Sequence, residues 1–156
     1  MKYFGLGVLV YIAVFGWIAY KVQAYETRLD RLESNKIEDQ LTDSKTIDIW
    51  SEIQSWRTSE GKQEYVVDPI LCKYARIRLN EIQSDWSHAG FWDHAYKILY
   101  EGDYVRIAEN LARDWNDYSP LDAWLASPAH RMNLEDVYTN SCLIGEDGDY
   151  VQLFAI

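Results

Sequence analysis

Three histidines occur in the 156 residues: His88, His94 and His130. His88 follows Ser87 and precedes Gly90, a pattern that predicts a turn. His130 stands two residues after Pro128, which places it in the first turn of a new helix. The positive end of that helix favours the neutral imidazole, the form that ligates metal. Glu109 lies between the two in sequence and can supply an oxygen. Two imidazoles and one carboxylate can hold zinc with a position left open, His88 and His130 being the nitrogen donors. The same trio can transfer protons, with Glu109 orienting an imidazole. The plainer alternative is a polar cluster that only holds the fold, Glu109 accepting backbone N–H groups or pairing with Arg131. No nucleophile stands out. Ser87 adjoins His88, but neighbours in sequence rarely face each other, and no Asp completes a triad by spacing. Ser127 is three residues from His130 and fits better as a helix cap. His94, beside Asp93, reads as a solvated loop histidine.

The elements that must position these residues carry local signals. Ile49, Trp50, Ile53 and Trp56 have helical spacing, and Gly61 follows a polar stop. Asp68-Pro69 opens a second helix, with Leu71, Tyr74, Ala75, Arg78, Leu79 and Ile82 along one side. Ser119-Pro120 and Ser127-Pro128 repeat the same start. A looser stretch runs from Ser84 to Asp103. Its aromatics Trp86, Phe91, Trp92, Tyr96 and Tyr100 read as core or lid packing, or as the wall of a groove for a lipid or glycan. Cys142 to Ile144, a turn at Asp147-Gly148, and Tyr150 to Ile156 read as a C-terminal hairpin. Helices followed by strands predict an α+β domain rather than a doubly wound sheet.

Ahead of this domain, residues 3–20 carry no charge and are flanked by Lys2 and Lys21. The run is long enough for a short transmembrane helix, with Tyr3, Trp17 and Tyr20 where interfacial aromatics belong. Val22-Gln23-Ala24 also offers a signal-peptidase site, so residues 1–24 form an anchor or a cleaved signal. Both readings export the rest: a single-pass membrane protein with its domain outside the cytoplasm, or a secreted one. Residues 25–45 read as a charged helical stalk and residues 46–156 as the globular domain. Net charge is −10, and the part after residue 24 holds 13 basic and 25 acidic residues. That balance excludes a nucleic-acid partner, which requires basic patches. It also opposes docking on anionic lipid. Cys72 and Cys142 are too few for a disulfide framework; they form one bridge or two buried thiols.

Five segments in order resemble the bacterial branch of the CAP superfamily, the cysteine-rich secretory, antigen 5 and pathogenesis-related (SCP-domain) proteins. Val67 to Ile82, preceded by Arg57, resembles the family's first helix motif. Trp86 to Phe91 resembles its Ser-His-x-Gly element, and Ala108 to Ala112 its Gly-Glu-Asn-Ile/Leu-Ala. Ala123 to Leu134 resembles Trp-x-x-Ser-Pro-x-His-Arg-x-Asn, and Asp149 to Ala155 the closing Tyr-Thr-Gln-x-Phe strand. The resemblance implies a three-layer α-β-α sandwich with a mostly antiparallel sheet. It also implies scaffold roles for Arg57, Asn110, Trp124, Ser127, Arg131, Asn133 and Gln152.

The chain departs from the family at several points. Ala108 replaces a glycine and Gln54 an asparagine. Ser127 and Asp149 stand where eukaryotic members carry a second Glu and a His, so a full cavity of two His and two Glu is absent. What remains is His88, Glu109 and His130. The expected function is an extracytoplasmic binding module for a small apolar ligand, a cell-envelope component or a protein partner. A metal-dependent or acid–base hydrolase and a purely structural tethered domain are the alternatives.

Overall fold

The structure, a computed structural model, describes residues 44–113 and 118–156. The apolar run 3–20 and residues 25–43 of the charged stretch lie outside the described residues, and its last two residues begin the first helix. Among the described residues no helix is long and apolar enough to cross a membrane.

Helix α1 (Ser44–Ser59) buries Ile49, Ile53 and Arg57, a four-residue repeat that defines one face. Gly61, at φ 71°, turns the chain away, and the Lys62 amide closes back on the Arg57 carbonyl at 2.9 Å. Strand β1 (Val66–Val67) leads to α2 (Pro69–Ile82). There the Asp68 carboxylate accepts from the Ile70 and Leu71 amides, and Pro69 occupies the first helical position, as the sequence predicts. Ser84 to Asp103 is not loose: it contains α3 (Ala89–Gly102), which ends at Asp103 in the left-handed conformation. Only Phe91 and Ile98 of this helix are buried, while Trp92, Tyr96 and Tyr100 face solvent. Large rings on the outer face obscure the amphipathic pattern.

Strand β2 (Ile107–Arg113) is followed by α4 (Pro120–Ala126) and α5 (Pro128–Glu135), then by the hairpin of β3 (Asn140–Glu146) and β4 (Asp149–Ala155). Asp147 and Gly148 both have positive φ, as a tight two-residue hairpin turn requires. Ser119 caps α4 by accepting from the Leu121 amide. Ser127 holds the corresponding place before α5, but its side chain makes no capping bond, contrary to expectation. The carbonyl of Ser127 accepts from the Arg131 amide instead.

The sheet order is β1-β3-β4-β2, with β1 parallel to β3 and the other pairings antiparallel. Side chains alternate across it. Leu111, Cys142, Ile144, Val151 and Leu153 pack with α2 and α3 on one face. Ala108, Ala112, Leu143, Tyr150 and Phe154 pack with α1, α4 and α5 on the other. Cys72 and Cys142 are disulfide-bonded, joining α2 to β3 inside the first of these layers.

Several motif residues hold this frame. Arg57, buried, donates to the carbonyls of Gln63, Leu134 and Tyr138, and so ties the end of α1 to the end of α5. Gln54, in place of asparagine, clasps the N–H and C=O of Tyr65 with its side-chain amide. Gln152 donates to the Ser141 hydroxyl, which donates to the Leu153 carbonyl. Ala108 lies in regular strand, so no backbone strain follows from the missing glycine.

Candidate functional site

Strand β2 is an edge of the sheet, and two side chains close its free side. The Trp124 indole donates to the Leu111 carbonyl at 2.8 Å, and Asn133 donates to the Glu109 carbonyl at 3.4 Å. Because β2 is an edge, residues of the two outer layers can meet past it, and the candidate site forms there.

Glu109 projects to the face packed by α2. Its side chain is 1% exposed, as is that of Arg78, whose Nε donates to Glu109 Oε2 at 2.8 Å. A second guanidinium nitrogen donates to the Ser87 carbonyl at 2.7 Å, and a third pairs with Glu81. Arg78 thus fixes both the Glu109 carboxylate and the backbone just before His88. Burial pushes the Arg78 pKa down, but its bonds and charges with Glu109 and Glu81 outweigh that, and the net shift is upward. Its spacing in the sequence places Arg78 only on the core face of α2. Nothing in its spacing named Glu109 as its partner, and the alternative pairing with Arg131 does not occur. Arg131 bonds Glu135 on the surface instead.

Gly90 of the Ser-His-x-Gly element gains its meaning here. A Cβ at this position would collide with the Arg78 guanidinium and the Glu81 carboxylate. The glycine is therefore a matter of close approach and not of backbone conformation. Ser87 Oγ accepts from the Ala89 amide and donates to Asp85, an arrangement that turns the chain and leaves His88 at the start of α3.

His88 Nδ1 lies 2.9 Å from Glu109 Oε1. In the neutral ring, Nδ1–H donated to the carboxylate leaves Nε2 as an acceptor. The His130 ring is 5.9 Å away, centroid to centroid. Burial, and then the neighbouring His88, lower the His130 pKa. On the opposite face from Glu109, Asn110 donates to the His130 carbonyl and accepts from Asn133. The expected trio is thus brought together, and Asn110 and Asn133 seat its third member. His94 is not a solvated loop residue. It sits in α3, partly buried, with Nε2 2.7 Å from Glu81 Oε1.

A cleft of about 410 Å³ opens over the two imidazoles, walled by Phe91, Trp92, Ile107, Ala129 and Tyr138, with Arg106, whose charge is paired by Asp136, also lining it. Such a volume suits a small ligand or one end of a larger one. The described donor set supplies no three-ligand zinc centre. Among the described residues no group of three His, Cys, Asp or Glu is placed to hold a metal ion. Both oxygens of Glu109 already have partners, Arg78 on each and His88 on one. No hydroxyl is hydrogen-bonded to either imidazole among the described residues, and both cysteines are in the disulfide. What the arrangement provides is one carboxylate-oriented imidazole and a second, partly buried one, beside a largely apolar wall.

No family model matches the sequence, and no curated protein matches it significantly. Solved structures do match. A cysteine-rich secretory protein of Staphylococcus aureus superposes with a TM-score of 0.61 at 19% identity, over 73% of this chain and 40% of that one. An outer surface protein of Borrelia burgdorferi gives 0.61 at 21% identity, over 73% of this chain and 93% of its own. An extracellular protein of Bacillus anthracis containing an SCP domain gives 0.61 at 20% identity, over 75% and 42%. The chain thus spans less than half the length of the staphylococcal and Bacillus proteins and nearly all of the Borrelia one. At these identities the likeness is one of fold: the domain has the fold of these bacterial proteins, among them a cysteine-rich secretory protein and a protein containing an SCP domain.

Proposed function

We propose that this chain of CAP/SCP fold is an extracytoplasmic binding module whose cleft takes a small uncharged ligand with an apolar face and a hydroxyl group. The observation that carries this reading is the Arg78–Glu109–His88 chain. It spends the only carboxylate of the site on an internal partner and leaves imidazole acceptors beside the apolar wall. A hydroxyl can donate to His88 Nε2 while the ligand's apolar face lies against Phe91, Trp92 and Tyr138.

Two observations support a place outside the cytoplasm. The buried Cys72–Cys142 disulfide suits an oxidising compartment. The matched structures come from secretory, outer-surface and extracellular proteins. Residues 3–20 then serve as a membrane anchor, or residues 1–24 as a cleaved signal. The mass of the mature protein distinguishes the two.

The test of the cleft uses the full chain in nanodiscs, with 1,2-hexanediol and a methyl glycoside as probes. Nitrogen NMR of the imidazoles should show both His88 and His130 shifting on addition, and His88→Ala should abolish the response. Probes that move neither ring would sink the reading, and the cluster would then be scaffolding.

Acid–base hydrolysis is the second reading, favoured by the carboxylate-oriented imidazole of His88. With no nucleophile bonded to it, His88 would activate water. Turnover of a model ester or glycoside that His88→Ala abolishes without lowering thermal stability would establish it. Turnover unchanged in that variant would remove it.

A further inference from the structure

We infer that α3 carries a platform for an uncharged polysaccharide chain, continuous with the cleft, and this rests on the binding-module reading above. Trp92, Tyr96 and Tyr100 are 68%, 77% and 77% exposed. Their spacing of four places them in one row, about 6 Å apart along the helix axis. The Tyr96 and Tyr100 rings are nearly parallel, 13° between planes, with centroids 6.2 Å apart. Trp92, at the near end of the row, also walls the cleft over His88. A solvent-facing helix stripe is ordinarily polar. Three large rings in succession therefore form an exposed patch that marks a contact surface.

The residues beside the row decide what it contacts. Asp93, Lys97 and Glu101 follow each ring by one position, and Lys73 of α2 bonds Glu101 at 2.8 Å. Two acidic and two basic groups balance, so the stripe has donors and acceptors without a net local charge. The remainder of the protein is acidic, with a net charge of −10, which repels anionic lipid and anionic polymers. A basic peptide would gain little from a balanced stripe. A neutral sugar chain meets both features. Each pyranose ring has an apolar C–H face that can lie on an aromatic ring. Its equatorial hydroxyls can exchange hydrogen bonds with the flanking carboxylates and ammonium groups. The chain would lie along Tyr100, Tyr96 and Trp92 and place one end in the cleft, with a hydroxyl on His88 Nε2.

The test titrates the full chain, in phosphatidylcholine nanodiscs, with β-1,4-linked N-acetylglucosamine and glucose oligosaccharides of two to six units. Affinity should rise with length. Tyr96→Ala and Tyr100→Ala, both surface changes whose folding circular dichroism can verify, should each weaken hexasaccharide binding by about tenfold. Neither should alter the His88 and His130 NMR response to the disaccharide. Length-independent affinity, or tyrosine variants that bind the hexasaccharide normally, would overturn the platform while leaving the cleft reading intact. So would binding of 1,2-hexanediol in the cleft with no saccharide bound. Absence of any probe in the cleft would end both. A component of the quenching of tryptophan fluorescence by spin-labelled lipid, beyond that of Trp17, that Trp92→Phe removes would make the row a bilayer contact. Self-association abolished by Tyr96→Ala would make it an interface between copies. Either result overturns the inference.

Discussion

Glu109 and Asn110 are neighbours on β2, yet they bind opposite layers of the domain: Glu109 takes Arg78 and His88, and Asn110 takes His130 and Asn133. Strand alternation produces this split. It allows a single dipeptide at the edge of the sheet to seat both imidazoles of the cleft from opposite sides.

Loss of Arg78 should be felt in stability first. Arg78→Met leaves the Glu109 carboxylate buried without its cation, a change that costs about 3–5 kcal/mol. Urea denaturation of the variant measures it. Adding Glu109→Gln should recover part of the loss, since the second change removes the stranded charge. A double variant no more stable than the single one would show that Arg78 acts through its Ser87 and Glu81 contacts instead. Gly90→Ala should resemble a milder Arg78 variant, because its methyl group must displace the same guanidinium.

Stability should depend on pH in two separate windows. Burial, then His88, lower the His130 pKa, so the folded chain binds that proton less readily than the unfolded one. Stability is then flat above the ordinary imidazole value of about 6.5 and falls as pH drops below it. It levels off beneath the folded pKa. Burial raises the Glu81 pKa, but the bonds and charges of His94 and Arg78 outweigh it and the net shift is downward. Its contribution is present above the ordinary carboxylate range and is lost as pH falls through the folded value. Thermal melts across pH should show both steps, and His130→Asn should flatten only the upper one.

Reduction of Cys72–Cys142 should destabilise the domain by about 2–5 kcal/mol, as expected for a native bridge closing a long loop. The two cysteines are 70 residues apart. Melting with and without a reductant, set against a Cys72→Ala/Cys142→Ala variant, measures the effect. Equal stability in both states would mean that the surrounding core of α2, β3 and β4 suffices alone.

Trp124→Phe should keep most of the buried ring but strand the Leu111 carbonyl, at a cost of about 1–3 kcal/mol. The effect should be local. Hydrogen exchange should quicken in β2 and spare the β3–β4 hairpin. Uniform quickening across the sheet would show that the indole supports the whole fold and not its edge.

Much of this architecture is written in contiguous residues. Asp68-Pro69, Ser119-Pro120 and Ser127-Pro128 mark three helix starts, and Asp147-Gly148 marks the hairpin. Helix starts and turns depend on a few neighbouring φ and ψ angles, so local residue types place them, although at Ser127 the side-chain capping bond itself is not made. The motif residues likewise pointed to the CAP-type fold, and within it to His88, Glu109 and His130. Other features depended on which surfaces the layers bring together. Arg78 meets Glu109 across 31 residues, and Cys72 meets Cys142 across 70. The strand character of β2 comes from its pairing with β4 and the two side chains at its free edge. The exposed rings on the outer face of helix α3 hide its amphipathic pattern in the sequence, and with it the place of His94. A partner that arrives from a distant segment leaves no mark on local periodicity. Only packing of the helices on the two faces of the sheet decides which buried charge, thiol or strand edge it meets.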